Sequence, residues 1–173
     1  MNDQEFGRNI RRICQDDRDG LKNIYEDYCP MIFSAVSDIL NNREDAEDVT
    51  SEFFIRLWDI ADTYRAGKGH RAWMITIARN MAIDCARKRS REVSAAEIPD
   101  DWQERISAED QVCGKLSLEQ ALMTLKKEER QVVNLKIMGE LTFREIAKIL
   151  KKPPGTVAWR YRTAMDKLKE ARL

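Results

Sequence analysis

The chain has 173 residues, which suits one ordinary domain or two small helical ones. Its 43% apolar content supplies a core, while 35% charged residues with only 7 Gly and 4 Pro exclude a disordered or all-β chain and point to helices. The net charge is zero but unevenly spread: residues 1–62 hold 7 Lys or Arg against 15 Asp or Glu, 63–91 hold 8 against 1, 92–115 hold 2 against 7, and 116–173 hold 13 against 7.

Such alternation offers two phosphate-facing surfaces and an acidic face for a basic partner, with ordinary solvated helix faces as the plain alternative. The longest apolar run, Trp73 to Ala78, is far below membrane length and contains Thr76. The opening Met-Asn-Asp-Gln-Glu lacks the basic head and apolar middle of a secretion signal, so a cytoplasmic protein is expected. There Cys14, Cys29, Cys85 and Cys113 stay reduced and serve as small apolar fillers. Their spacings fit no zinc motif, and no metal or cofactor is expected.

Apolar residues recur at helical spacing from Leu21 to Leu40, and Pro30 predicts either a second helix beginning there or a kink in the first. After Asn41-Asn42 a further helix runs to about Ala61, with Val49, Phe53, Leu57 and Ile60 on one face and Glu44, Asp45, Glu47, Asp48 and Glu52 on the other. Tyr64 to His70, with Gly67 and Gly69, reads as a loop. It feeds a helix whose buried stripe is Trp73, Met74, Ile77, Ala78, Met81, Ala82 and Cys85. Thr76, Arg79, Asn80, Asp84 and Arg87 lie away from that stripe, and the helix ends in Arg87-Lys-Arg-Ser-Arg91. The cations with Tyr64 and Trp73 suit unstacked single-stranded bases, against the simpler reading of Trp73 as core and Tyr64 as the close of a turn. Residues 92–115 have the composition of an acidic flexible linker.

Beyond the linker, Leu116 to Leu125 and Glu128 to Met138 read as short helices, with Gly139 as a stop. Thr142-Phe-Arg-Glu145 matches a capping box that opens a helix to Leu150. Lys151 to Thr156 forms a tight turn in which Pro153 pushes Lys152 out of helical geometry. Thr156 then caps a last helix to about Ala171, packed inward by Val157, Tyr161, Ala164 and Leu168. Two helices joined by a short turn, the second bearing Trp159, Arg160, Arg162 and Thr163 outward, match a helix-turn-helix. Helical hairpins with a basic face also occur in proteins that never touch DNA. The fold class expected is all-α, two small helical domains (1–91 and 116–173) across the linker, the second a four-helix domain ending in the helix-turn-helix.

An enzyme is disfavoured. The sole histidine is His70, and neither a phosphate-binding glycine turn nor a defensible nucleophile or carboxylate arrangement exists. An operator-binding regulator and a pure protein-interaction module remain as rivals.

Two strings now in view resemble the bacterial sigma factors, in particular the short extracytoplasmic-function subfamily. The second conserved region of that family is similar to Asp45-Ala-Glu-Asp-Val-Thr-Ser-Glu-Phe-Phe-Ile-Arg-Leu-Trp58, followed by Ala72-Trp-Met-Ile-Thr-Ile-Ala-Arg-Asn80 and Ile83-Asp84. Its fourth region is similar to Leu141-Thr-Phe-Arg-Glu-Ile-Ala-Lys-Ile-Leu150 and Pro154-Gly-Thr-Val157. The resemblance implies that Asp45, Asp48 and Glu52 dock on the coiled coil of the largest subunit of core RNA polymerase, with a further contact to the flap. It implies that Tyr64, Arg65, Lys68, His70, Arg79, Asn80, Arg87 and Lys88 meet the melted −10 element. Arg144, Thr156, Ala158, Trp159, Arg160, Arg162 and Thr163 would meet the double-stranded −35 element. An anti-sigma factor is an implied partner, and no catalytic role is. The chain departs from the family pattern at Ala158-Trp159-Arg160, where a basic residue, Ser and Arg are common, and at Thr163, which replaces a frequent Arg.

Overall fold

A computed structural model of the chain describes residues 1–40, 42–95, 121–122 and 124–170, with the backbone alone for 92–95. The elements among them are all helical, with no strand. Helix α1 (Asp3–Ile13) opens on a capping box: the Asn2 side chain accepts from the Glu5 N–H at 2.9 Å, and the Glu5 carboxylate accepts from the Asn2 N–H at 3.0 Å. Phe6, Ile10 and Ile13, spaced four and three apart, are buried. The sequence reading assigns no helix here. Its signals were the Asn2-x-x-Glu5 box and that apolar spacing, masked by Arg8, Arg11 and Arg12 between them.

Helix α2 (Arg18–Ser37) is continuous through Pro30, so of the two expected outcomes no second helix begins there. Pro30 cannot donate to the Glu26 carbonyl, a real local loss. Tyr28, Met31, Ile32, Ala35 and Val36 on both sides of it nevertheless enter one core, so packing holds the helix together. Asn42 caps α3 (Arg43–Ile60) by accepting from the Glu44 N–H at 2.9 Å, and Ala46, Val49, Thr50, Phe53, Phe54 and Leu57 form its buried face. A 3₁₀ turn (Ala61–Thr63) leads to a loop in which Gly67 and Gly69 take φ values of 81° and 79°. Gly69 matters most, because that backbone conformation strains any residue bearing a Cβ.

Helix α4 (His70–Ala95) continues four residues into the expected linker. Residues 96–115, the start of the expected 116–125 helix and Cys113 lie outside the described residues. Cys29 and Cys85 are partly buried, but Cys14 is exposed and is no core filler.

The second half contains α5 (Lys127–Ile137), α6 (Phe143–Leu150) and α7 (Pro154–Glu170). The Thr142 box forms as expected, with the Thr142 N–H donating to Glu145 at 2.8 Å. Lys151 ends α6 in the left-handed region at φ 53°, while the Lys152 N–H donates to the Ala147 carbonyl at 3.0 Å. Because α7 begins at Pro154, Thr156 sits within its first turn and does not cap it, a correction set by the favourable placement of proline at a helix start. Val157, Ala164 and Leu168 are buried, and Tyr161 packs on Phe143 with ring centroids 5.5 Å apart. Lys167 grips both oxygens of buried Glu129 at 2.8 Å, fastening α7 to α5.

The two halves share one core. Val132, Leu135, Leu141, Ile146, Ala147 and Val157 join the same buried cluster as the apolar faces of α1 to α4. Gly139 permits this approach, since a Cβ there would lie 2.6 Å from the Leu135 carbonyl oxygen and 3.0 Å from Ile75 Cδ1. Ile75, absent from the predicted stripe of α4, is fully buried because the second half covers it.

Candidate nucleic-acid interface

The acidic face of α3 follows from its period. With Val49, Phe53 and Leu57 turned inward, Asp48, Glu52 and Asp59 fall on the exposed side together with Ile55, which is 69% exposed. An exposed apolar side chain flanked along its helix by the carboxylates of Glu52 and Asp59 suits docking on a basic protein surface, where it supplies desolvated contact and the charges supply steering. Sequence reasoning missed Ile55, although its spacing of three and four residues from Glu52 and Asp59 was legible. Asp45 differs from its neighbours. Its carboxylate is ion-paired with Arg89 near the end of α4 and is only 24% exposed.

In the loop before α4 and along that helix the predicted strand-binding residues separate into two groups. Arg65, Lys68, Asn80, Arg87 and Lys88 are exposed. Tyr64, His70 and Arg79 are buried, at 9%, 6% and 7% exposure. The first two are covered by α1: the Phe6 ring stacks on His70 at 4.6 Å and meets Tyr64 edge-on at 5.0 Å. His70 is further tied by Nδ1 to the Asp3 carboxylate, and its Nε2 lies 2.6 Å from the Tyr28 hydroxyl, which also donates to the Met1 carbonyl at 3.0 Å. Burial pushes the His70 imidazole below its ordinary range, so it is neutral at pH 7, and pushes the Tyr28 phenol up to about 12. Trp73 packs against the core beside Tyr64, centroids 5.2 Å apart, in line with its simpler reading.

Arg79 corrects the expectation that it faces away from the buried stripe. It lies in a polar cluster where α2, α4 and α5 meet. Asp38, 4% exposed, accepts from Asn134 Nδ2 at 2.9 Å and is 3.7 Å from Arg130 Nε, while its backbone carbonyl accepts from Gln131 at 3.2 Å. Desolvation raises the Asp38 carboxyl to about 6 despite these partners, and burial lowers the Arg79 guanidinium, relieved only in part by the charge of Asp38.

In the second half, Arg144, Trp159 and Arg162 are exposed, Trp159 at 61%. Thr156, Ala158, Arg160 and Thr163 are half-buried. With Val157, Ala164 and Leu168 inward, α7 presents Trp159 and Arg162 on its outer face, and α6 exposes Arg144. An exposed helix face of this kind fits the major groove, and arginine forks match guanine edges or phosphates. Among the described residues no cluster of His, Cys, Asp or Glu could hold a metal, and no helix is long and apolar enough to cross a membrane.

Residues 24–92 match the family model for sigma-70 region 2, and residues 115–168 match that for sigma-70 region 4. The chain is similar to the extracytoplasmic-function RNA polymerase sigma factor SigK of Mycobacterium ulcerans, 27% identical over 92% of this chain and 89% of that one. It is likewise similar to the extracytoplasmic-function RNA polymerase sigma factor SigW of Bacillus subtilis, 28% identical over 94% of both. Its fold is similar to that of the sigma factor RpoE solved in complex with the anti-sigma factor NepR from Bartonella quintana. That likeness has a TM-score of 0.63 at 24% identity, covering 87% of this chain and 94% of that one. It is also similar in fold to CnrH solved in complex with the cytosolic domain of CnrY, with a TM-score of 0.60 at 17% identity over 96% of both.

Proposed function

The chain belongs to the sigma-70 family as an extracytoplasmic-function sigma factor for transcription initiation, and we propose that it carries core RNA polymerase to promoters by reading a −10 and a −35 element. The family is not catalytic, and what this chain contributes is recognition.

The observation that supports the reading best is the division of surfaces on one chain. An acidic face carrying Ile55 lies on α3, exposed cations with Asn80 lie on α4 and the loop before it, and an exposed Trp159 and Arg162 lie on α7. In this proposal Asp48 and Glu52 steer α3 onto the coiled coil of the largest polymerase subunit, and Ile55 enters the contact; the second half meets the flap. Arg65, Lys68, Arg87 and Lys88 follow the phosphates of the melted −10 strand, while Asn80 reads an unstacked base by hydrogen bonds. Tyr64 and His70, held by Phe6, set the shape of the loop that carries Arg65 and Lys68. At −35, Arg162 and Arg144 serve base edges or phosphates and Trp159 a thymine methyl or sugar edge.

Residues 1–91 and 116–173 act as the two reading units and 92–115 as the tether between them. The protein works in the cytoplasm, where polymerase is. Control by an anti-sigma factor is part of the proposal, since a sigma factor of similar fold was solved with one. Run-off transcription with core polymerase and genomic promoter fragments, with and without this protein, tests the reading. Transcripts that require the protein are expected, and identical transcripts from core enzyme alone would overturn it.

A further inference from the structure

Helix α1 lies before residue 24, where the match to sigma-70 region 2 begins, yet it reaches the loop from Tyr64 to His70. Phe6, fully buried, meets Tyr64 edge-on at 5.0 Å and stacks on His70 at 4.6 Å. Those two residues are the ends of the loop, so a single ring from α1 holds both.

Each end has a second anchor. Trp73, one turn into α4, packs on Tyr64 with centroids 5.2 Å apart. The Asp3 carboxylate is tied to His70 Nδ1 from the first turn of α1. A span whose two ends are drawn onto one ring has to bow outwards, and Gly67 and Gly69, at φ 81° and 79°, supply the bends. Nothing lies within 4 Å of a Cβ built on Gly67, so the crest stands in the open, with Arg65 and Lys68 exposed on either side of it. The seat is not arranged for stability alone. Tyr64 Oη is buried with no hydrogen-bond partner among the described residues, which costs stability. His70 is also the first residue of α4, the helix that carries Asn80. The loop and Asn80 therefore share one frame, roughly 15 Å apart along the helix axis, and meet different bases of a strand.

We propose that Phe6 and Asp3 are positioning residues for capture of the −10 strand: α1 clamps both ends of the loop and fixes the bowed shape that meets an unstacked base. This rests on the proposed reading of the −10 element. A loop held in its binding shape loses less freedom when the strand arrives than a free one does. Loosening the clamp therefore weakens discrimination at the base met by the loop, and spares the base met by Asn80 and the −35 element.

The test uses the full chain as wild type, Asp3→Ala and Phe6→Leu. The Asp3 side chain is 55% exposed, so its removal leaves the core filled, and a thermal melt checks both variants. Limited trypsin digestion of the free protein, read by mass spectrometry, follows the loop without DNA. Cleavage after Arg65 and Lys68 should quicken several-fold in Asp3→Ala and further in Phe6→Leu, while cleavage after Lys151, between α6 and α7, keeps its wild-type rate. Holoenzyme made with each form then transcribes from a promoter library randomised in both elements. A several-fold loss of preference at one −10 position is expected in both variants, with preference kept at the other −10 positions and at −35. Unchanged cleavage after Arg65 and Lys68 overturns the clamp. Equal loss of transcript from every promoter, or selectivity identical to wild type, shows a merely structural role and overturns the positioning. If Phe6→Leu fails to fold, Asp3→Ala decides alone. Faster loop cleavage in the variants, with no protein-dependent transcript from any form including wild type, sinks the promoter reading itself and leaves α1 as the holder of the loop.

Discussion

The Arg89 guanidinium, near the end of α4, is ion-paired with the Asp45 carboxylate on the first turn of α3. The basic end of one helix is thereby held against the acidic start of the other, and Asp45 is set apart from the exposed Asp48 and Glu52. Docking and stability therefore divide between residues that the sequence presents as one acidic face.

Asp48→Lys with Glu52→Lys is expected to weaken binding to core polymerase by about tenfold or more. Thermal stability should stay within about 0.5 kcal/mol of wild type, because exposed charges steer association and contribute little to folding. Asp45→Lys should add a measurable stability loss, since it opposes Arg89. Pull-down of core polymerase and a thermal melt on the same samples separate the two effects. Undiminished pull-down by the Asp48/Glu52 double variant would remove α3 as the docking face.

Asn80 is exposed on α4 while its neighbour Arg79 is buried. Asn80→Ala should slow open-complex formation several-fold and leave initial duplex binding nearly unchanged, because a flipped base is read only after melting. Permanganate reactivity of the melted strand beside a gel-shift on duplex promoter gives the comparison. Equal loss at both steps would show that Asn80 acts before melting.

Arg162→Ala, Arg160→Ala and Trp159→Ser probe α7 against a promoter library randomised in the −35 element. A base-reading arginine costs about 1–3 kcal/mol at one position when lost, while a phosphate-binding one weakens all sequences alike and flattens the salt dependence. The exposure of Arg162 favours it over half-buried Arg160 for the larger loss of selectivity. Wild-type preference in all three variants would end the assignment of α7 as the reading helix.

Asp38, buried where the two halves pack into a closed form, gives that packing a pH dependence with a definite sign. Burial in the closed form raises the Asp38 carboxyl from its ordinary 3.8 to about 6, so the closed form binds more protons than an open form in which Asp38 is solvated. Closure therefore strengthens as pH falls from about 7 through 6 and towards 4, by at most about 3 kcal/mol. The groups facing Asp38 are Arg79 from α4 and Arg130, Lys127 and Asn134 from α5; the cations oppose its protonation without reversing the direction. Scattering of the free chain at pH 5.5 and 7.5 should show the more compact species at the lower value, and Asp38→Asn should flatten the difference. An expansion on acidification of wild type contradicts the prediction.

The linear order of residues by itself determined the helical class, the caps at Asn42 and Thr142, the inward stripe of α7 and the acidic face of α3. Each of these is set by groups within a turn or two of one another, so spacing and local hydrogen bonding suffice. Ile55 was equally legible and lay in plain view within that pattern. The N-terminal helix was written in Asn2, Glu5 and Phe6 but needed the packing partners Tyr64 and His70 to become evident. Only the tertiary structure decided that α2 continues through Pro30, because the gain that offsets the lost backbone bond comes from side chains on other helices. Only it could bury Tyr64, His70, Ile75 and Arg79, each covered by an element distant in the chain. The pairing of Asp38 with Asn134 spans 96 residues, and no period or motif encodes such a contact. Distance along the chain is the physical divide: local geometry fixes which residues a helix offers, and long-range packing selects which of them remain in water.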